Sequence, residues 1–84
     1  MEFLYTAKFL RSLKKLPHEI QSDVFMAVKA FVDKENHKQL SLHKLHGTMK
    51  KYYAFSANFQ YRIILKIEKK TIYFMDVGTH EMYV

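Results

Sequence analysis

The chain has 84 residues, the size of one small domain, and no cysteine, so disulfide scaffolds, thiol catalysis and thiolate metal sites are excluded. Its formal net charge is +6, and its longest apolar runs, such as residues 63–65, are far too short to cross a bilayer. The first residues lack the basic-then-apolar layout of a secretory signal. We therefore expect one domain over residues 1–84, cytoplasmic and without a membrane partner.

The N-terminal part of the chain predicts a short strand and a helix. Residues 3–5 are β-prone, and Thr6 is well placed to cap the helix that follows. Phe9, Leu13 and Leu16 recur at three- and four-residue spacing, while basic side chains fill the remaining surface. This pattern predicts a helix over residues 7–16.

A second helix is predicted directly after Pro17, because proline ends one helix and is favoured at the first position of the next. Its apolar stripe consists of Ile20, Val24, Ala27, Val28 and Phe31. Residues 33–47 lose this periodicity and predict a polar connecting loop, anchored by Leu40, Leu42 and Leu45. The two helices are expected to form an antiparallel pair.

Three strands are predicted after Gly47, over residues 52–57, 61–67 and 71–77, because these segments are rich in aromatic and β-branched residues. Their short links favour an antiparallel meander. In the middle strand, alternation places Ile63 and Leu65 on one face and Arg62 and Lys66 on the other.

The predicted fold class is α+β, with the order β-α-α-β-β-β and a two-helix hairpin packed on one face of the meander. The side chains expected in the shared interior are Phe9, Leu13, Ile20, Val24, Phe31, Ile63, Leu65 and Ile67. Arg62 is expected to lie outside it.

The positive charge is concentrated in one segment. Residues 1–37 carry six basic and five acidic side chains, whereas residues 38–70 carry eight basic side chains and only Glu68. This asymmetry favours a polyanionic partner, either nucleic acid or an acidic protein segment. A solvated lysine-rich surface is the alternative.

Four segments in this order resemble the RelE/ParE superfamily of toxins, and the resemblance covers nearly the whole chain. They are residues 9–17 (FLRSLKKLP), 42–47 (LHKLHG), 61–64 (YRII) and 77–83 (VGTHEMY). In that superfamily many members cut ribosome-bound mRNA and some inhibit DNA gyrase, and both kinds are silenced by a co-expressed antitoxin.

The resemblance implies a small RelE-like domain that is the toxin of a type II toxin-antitoxin system. It would act as a metal-independent endoribonuclease that cleaves mRNA on the ribosome and inhibits translation. Its partners would be mRNA, the ribosome and a cognate antitoxin with an acidic segment. The alternatives are a ParE-like gyrase inhibitor without nuclease activity and a non-catalytic domain that binds nucleic acid.

RNA cleavage without a metal needs a base for the 2′-hydroxyl, a cation for the phosphorane and an acid for the leaving oxygen. Arg62 matches the active-site arginine of ribonucleolytic members, and a guanidinium suits phosphate binding. His80 resembles the C-terminal catalytic histidine of the YafQ and YoeB branches, and His43 matches an active-site histidine of the YafQ-like branch. Tyr83 resembles the family's aromatic residue for base stacking or proton transfer, although an aromatic sealing the core edge is the alternative.

The basic surround is expected to position phosphates rather than to react. The residues assigned to it are Lys44, His46, Lys50, Lys51 and Lys66. His43 and His46, three residues apart, could also bind a metal, but no cysteine or nearby carboxylate cluster completes a ligand set. We therefore expect no metal and no cofactor.

This chain departs from the family pattern at two places in the predicted strand over residues 52–57. RelE carries catalytic lysines where this chain has Tyr53 and Phe55, and YafQ has a second histidine where this chain has Ser56. RNA cleavage by this chain would then depend on histidine and arginine side chains.

Overall fold

The computed structural model describes residues 2–33, 42–45 and 51–79, and it confirms the predicted α+β fold with one additional short strand. The elements are β1 (Glu2–Tyr5), α1 (Ala7–Lys14), α2 (His18–Val32), β2 (His43–Lys44), β3 (Tyr52–Ser56), β4 (Tyr61–Glu68) and β5 (Thr71–Thr79). None of the helices in these residues is long and apolar enough to cross a membrane.

Thr6 caps α1, as the sequence predicts. Its side-chain oxygen accepts a hydrogen bond from the amide of Phe9 at 3.2 Å and donates one to the carbonyl of Phe74 at 2.8 Å. The same hydroxyl therefore starts the helix and fastens it to β5. The helix ends at Lys14, two residues earlier than predicted, and Pro17 directly precedes α2.

The described residues form a five-stranded sheet in the order β1-β5-β4-β3-β2. The predicted meander is confirmed, because β3, β4 and β5 pair antiparallel in sequence order. The sheet as a whole is mixed rather than antiparallel, since β1 pairs in parallel with β5. A parallel neighbour is possible here because the long chain between β1 and β5 can return in the same direction.

The strand β2 lies within the segment predicted to be a loop, and it pairs His43 with Ala54 and Lys44 with Tyr53 of β3. Two residues are too few to show a periodicity, so the sequence gives no signal for this strand. Of the predicted anchors, Leu45 is buried and Leu42 packs partly against the core. Leu40 lies outside the described residues.

The main core lies between the helices and one face of the sheet, and aromatic rings dominate it. Phe31 stacks on Phe55 with ring centroids 4.6 Å apart, and Phe74 contacts the rings of Phe9 and Phe31. The side chains buried in this cluster are Phe9, Val24, Ala27, Val28, Phe31, Phe55, Ile63, Leu65, Ile72, Phe74 and Val77.

Most of the predicted interior is confirmed, but Leu13 and Ile20 are only partly buried. The prediction for Ile67 was wrong, since its side chain is 38% exposed. Ile67 stands near the end of β4, beside the exposed turn at residues 68–70, where it lines an open cavity.

The opposite face of the sheet is partly covered rather than fully open. Leu45, Ala54 and Ile64 form a second, smaller buried cluster there, with Tyr52 and Met75 packed against it. Arg62 and Lys66 flank Ile64 along β4 on this face, as alternation along the strand requires. Two polar regions are thus separated by an apolar patch.

A β-bulge in β5 lies next to Asp76, whose carboxylate bonds to α1. Ile64 pairs with Asp76 and Leu65 with Phe74, so Met75 is the extra residue. Asp76 is only 5% exposed, and its carboxylate accepts hydrogen bonds from Ser12 Oγ at 2.6 Å and from the amide of Val77 at 2.8 Å.

Candidate functional site

Arg62 stands near the start of β4, opposite Ser56 on β3 and Gly78 on β5. Directly opposite residues in an antiparallel pair share a face of the sheet. Because both neighbours are small, neither fills the space beside the arginine, and its side chain can lie across the sheet.

The guanidinium of Arg62 reaches His43 on the edge strand, with Nη1 3.1 Å from Nε2 of the imidazole. This contact crosses β3 near Ala54, the fully buried partner of His43, whose methyl group leaves room for it. The pairing of β2 with β3 is what places the histidine there.

The chemistry of the guanidinium fixes the direction of this hydrogen bond. A guanidinium carries only N–H donors, so Nε2 of His43 is the acceptor. A cation that suits phosphate and a nitrogen that can accept a proton therefore stand side by side at an exposed position.

A second polar region lies at the other end of the same face, around Lys66. Its Nζ donates a hydrogen bond to Glu68 Oε1 at 2.8 Å and lies 5.1 Å from the centroid of the Tyr73 ring. This hydrogen bond raises the pKa of Lys66 above its usual 10.5 and holds the pKa of Glu68 below its usual 4.5. The two side chains are therefore a charged pair at neutral pH.

The cavity beside this pair has a volume of about 590 Å³, and basic side chains line much of it. The lining residues are Lys44, Lys51, Tyr52, Tyr53, Lys66, Ile67 and Glu68. We call it the lysine cavity. Three of the lysines assigned to RNA binding thus gather in one place, away from Arg62.

The remaining predicted site residues lie outside the described part of the chain. These are His46, Lys50, His80 and Tyr83. Among the residues that are described, no three His, Cys, Asp or Glu side chains gather as a set of metal ligands.

Three residues of this region were not predicted from the sequence. Tyr52 and Glu68 line the lysine cavity, and the ring of Tyr73 lies beside Lys66. Glu68 stands two residues after Lys66 in a strand, and the period of two indicates that they share a face. The two tyrosines depend on strand register, which the sequence does not specify to the residue.

No protein-family model matches the sequence, and no curated protein sequence is significantly similar to it. Solved structures do match over almost the whole chain. YafQ from E. coli strain BL21(DE3) has a TM-score of 0.79 at 15% identity, covering 96% of this chain and 94% of YafQ.

Two toxin-antitoxin complexes match as well. A chain of the RelB-RelE antitoxin-toxin complex from Methanococcus jannaschii has a TM-score of 0.73 at 22% identity, covering 94% of this chain and 92% of its own. A chain of the toxin-antitoxin complex RelBE2 from Mycobacterium tuberculosis has a TM-score of 0.72 at 21% identity, covering 94% of this chain and 96% of its own. The chain therefore shares the fold of YafQ and of the matching chains in these two complexes.

Proposed function

We propose that this protein is the toxin of a type II toxin-antitoxin system and that it cleaves mRNA as a metal-independent endoribonuclease. The observation that carries the proposal is the 3.1 Å contact between Arg62 and His43 on the face of the sheet away from the helices. It supplies a phosphate-binding cation and a proton acceptor at one position, in a fold shared with YafQ.

In the proposed reaction Arg62 turns its guanidinium toward the scissile phosphate, which releases Nε2 of His43. The imidazole then takes the proton of the ribose 2′-hydroxyl while the 2′-oxygen bonds to phosphorus. Arg62 stabilises the added negative charge on the phosphorane. The bond from phosphorus to the 5′-oxygen breaks, leaving a 2′,3′-cyclic phosphate, and the 5′-oxygen receives a proton.

His80 is our candidate for the acid that protonates the leaving 5′-oxygen, and Tyr83 for stacking on a base or assisting proton transfer. Lys44, Lys51 and Lys66, together with Lys50 and His46, would hold the RNA backbone. We propose cytoplasmic mRNA on the ribosome as the substrate.

We also propose a cognate antitoxin as the protein partner, since uncontrolled RNA cleavage would be lethal to the cell. Its acidic segment would cover the lysines and Arg62. Two of the matching structures are complexes of a toxin with an antitoxin.

An apolar groove of about 600 Å³ on the helix side supports a protein partner further. It lies between Leu10 and Leu13 of α1 and Phe25 and Val28 of α2, and Phe25 is 68% exposed. Because α1 also carries exposed basic side chains, an amphipathic helix of the antitoxin with acidic flanks would fit the groove.

Incubation of the purified protein with RNA in EDTA, with and without ribosomes, tests the enzymatic proposal. We expect cleavage with cyclic-phosphate ends, and its loss in Arg62→Ala. Intact RNA in both conditions, together with gyrase-dependent DNA damage in cells, would instead support the ParE-like alternative.

The partner proposal has its own test in co-expression with the product of the neighbouring gene. We expect restored growth and a stable complex that weakens as salt is added. Failure of the neighbouring product both to restore growth and to bind the toxin would overturn this part of the proposal.

A further inference from the structure

Glu68 places a carboxylate among lysine side chains, where an anion from another molecule could otherwise bind. Lys66 donates a 2.8 Å hydrogen bond to it, and the positive charges of Lys69 and Lys51 also act on it. Of the nine charged side chains at residues 38–70, Glu68 is the only acidic one. The protein's own carboxylate therefore neutralises a cation that lines the lysine cavity.

Aromatic rings flank the same lysine on the neighbouring strands. Lys66 pairs with Tyr52 on β3 and with Tyr73 on β5, so the three side chains form a row across the sheet. The ammonium lies 5.1 Å from the Tyr73 ring centroid, and Tyr52 lines the cavity. Cations beside aromatic rings are the combination with which proteins hold the phosphates and bases of single-stranded nucleic acids.

Arg62 is not among the residues that line the lysine cavity. Lys66 stands four positions along β4 from Arg62, which places their Cα atoms about 13 Å apart at roughly 3.3 Å per residue. An anion bound in the cavity would therefore be a different group from the one bound by Arg62.

We propose that the lysine cavity binds a backbone phosphate of single-stranded RNA that flanks the scissile phosphate, and that Glu68 competes with this phosphate for Lys66. The proposal rests on the ribonuclease function proposed above. RNA is favoured over an acidic protein segment because two partly exposed aromatic side chains, Tyr52 and Tyr73, flank Lys66, and aromatic rings can stack on bases. Glu68 would then weaken RNA binding, and an RNA strand must displace its carboxylate from Lys66.

Binding of a 2′-O-methyl RNA tests this proposal without depending on cleavage, because the modified RNA lacks the nucleophilic hydroxyl. We expect Glu68→Gln to bind about 3- to 5-fold more tightly than the unaltered protein, the size of effect typical of an exposed ion pair. The slope of log K against log salt should steepen by about 0.7, since the carboxylate of Glu68 no longer offsets one of the positive charges that the phosphate meets. Glu68→Ala, as a second variant, should behave in the same way.

Glu19→Gln is the matched control, because it removes the same charge from an exposed position on α2. It should leave both the affinity and the salt slope nearly unchanged. Lys66→Ala should weaken binding, and in the Lys66→Ala background the effect of Glu68→Gln should vanish. Circular dichroism would verify that each variant is folded.

Two outcomes would overturn the cavity proposal while the proposed function stands. In the first, the unaltered protein cleaves RNA but Glu68→Gln binds the modified RNA no better than Glu19→Gln does. In the second, Glu68→Gln strengthens binding of poly-glutamate but not of RNA, which would assign the cavity to an acidic protein. A protein that neither binds nor cleaves RNA would refute both proposals.

Discussion

The guanidinium of Arg62 and the imidazole of His43 are joined by a 3.1 Å contact between the middle strand of the meander and a two-residue edge strand. The two residues are 19 positions apart in the chain.

If Arg62 and His43 both act on one phosphate, their contributions to the rate cannot be independent. We expect the double variant Arg62→Ala/His43→Ala to lose much less activity than the product of the two single losses, measured in a double-mutant cycle. Strictly multiplicative losses would mean that the contact has no role in catalysis.

Arg62→Ala should lower RNA cleavage by a factor on the order of a hundred or more at every pH, because it removes a fixed charge from the transition state. The fold should persist, since the contact that the side chain makes with His43 is exposed. Arg11→Ala is the matched control, as Arg11 is exposed on α1. Equal activity of the two variants in a cleavage assay would remove Arg62 from the mechanism.

His80→Ala should abolish one limb of the pH-rate profile and lower the rate by about 100-fold or more, as for a lost general acid or base. The reason is that an imidazole can gain or lose a proton near neutral pH, whereas a guanidinium keeps its charge. Cleavage measured from pH 5 to 9 tests this, with His18→Ala on α2 as the control. An unchanged profile and full toxicity would mean that His80 has no part in catalysis and would leave His43 as the leading candidate for the acid or base.

Glu68→Gln should leave the shape of the pH-rate profile unaltered between pH 5 and 9. The pKa of Glu68 is lowered from 4.5, so the stabilisation from its pairing is present above that value and is lost as the pH falls through the lower, folded-state pKa. The pKa of Lys66 is raised from 10.5. The stabilisation that depends on the charge of Lys66 is therefore present below that value and is lost as the pH rises through the higher, folded-state pKa. Neither group titrates within this interval, and a new limb in the profile would contradict the assignment.

Asp76→Ala should destabilise the protein by about 2–4 kcal/mol, because it leaves the part-buried hydroxyl of Ser12 and the buried amide of Val77 without their acceptor. The ion pair with Lys8, at 3.4 Å, would also be lost. Chemical denaturation measures the change. Asp33→Ala, at an exposed position after α2, should stay within about 0.5 kcal/mol of the unaltered protein. Similar stabilities for the two variants would show that the carboxylate is not essential to the attachment of α1.

Periodicity and turn chemistry in the sequence determined both helices, the cap at Thr6, the three-strand meander and the face on which Arg62 stands. Each of these depends on neighbouring residues, because a helix or strand repeats its apolar positions over a short distance along the chain. The sequence also indicated a basic segment, because the lysines are concentrated among residues that are close together along the chain.

The tertiary structure decided which distant residues meet. Pairing of β2 with β3 brings His43 to Arg62, and strand register places Tyr52 and Tyr73 on either side of Lys66. A two-residue strand has no detectable period, and register depends on packing of the whole sheet. Ile67 was predicted to be buried and is not, because alternation gives the face of a strand but not where along the strand the helices cease to cover it.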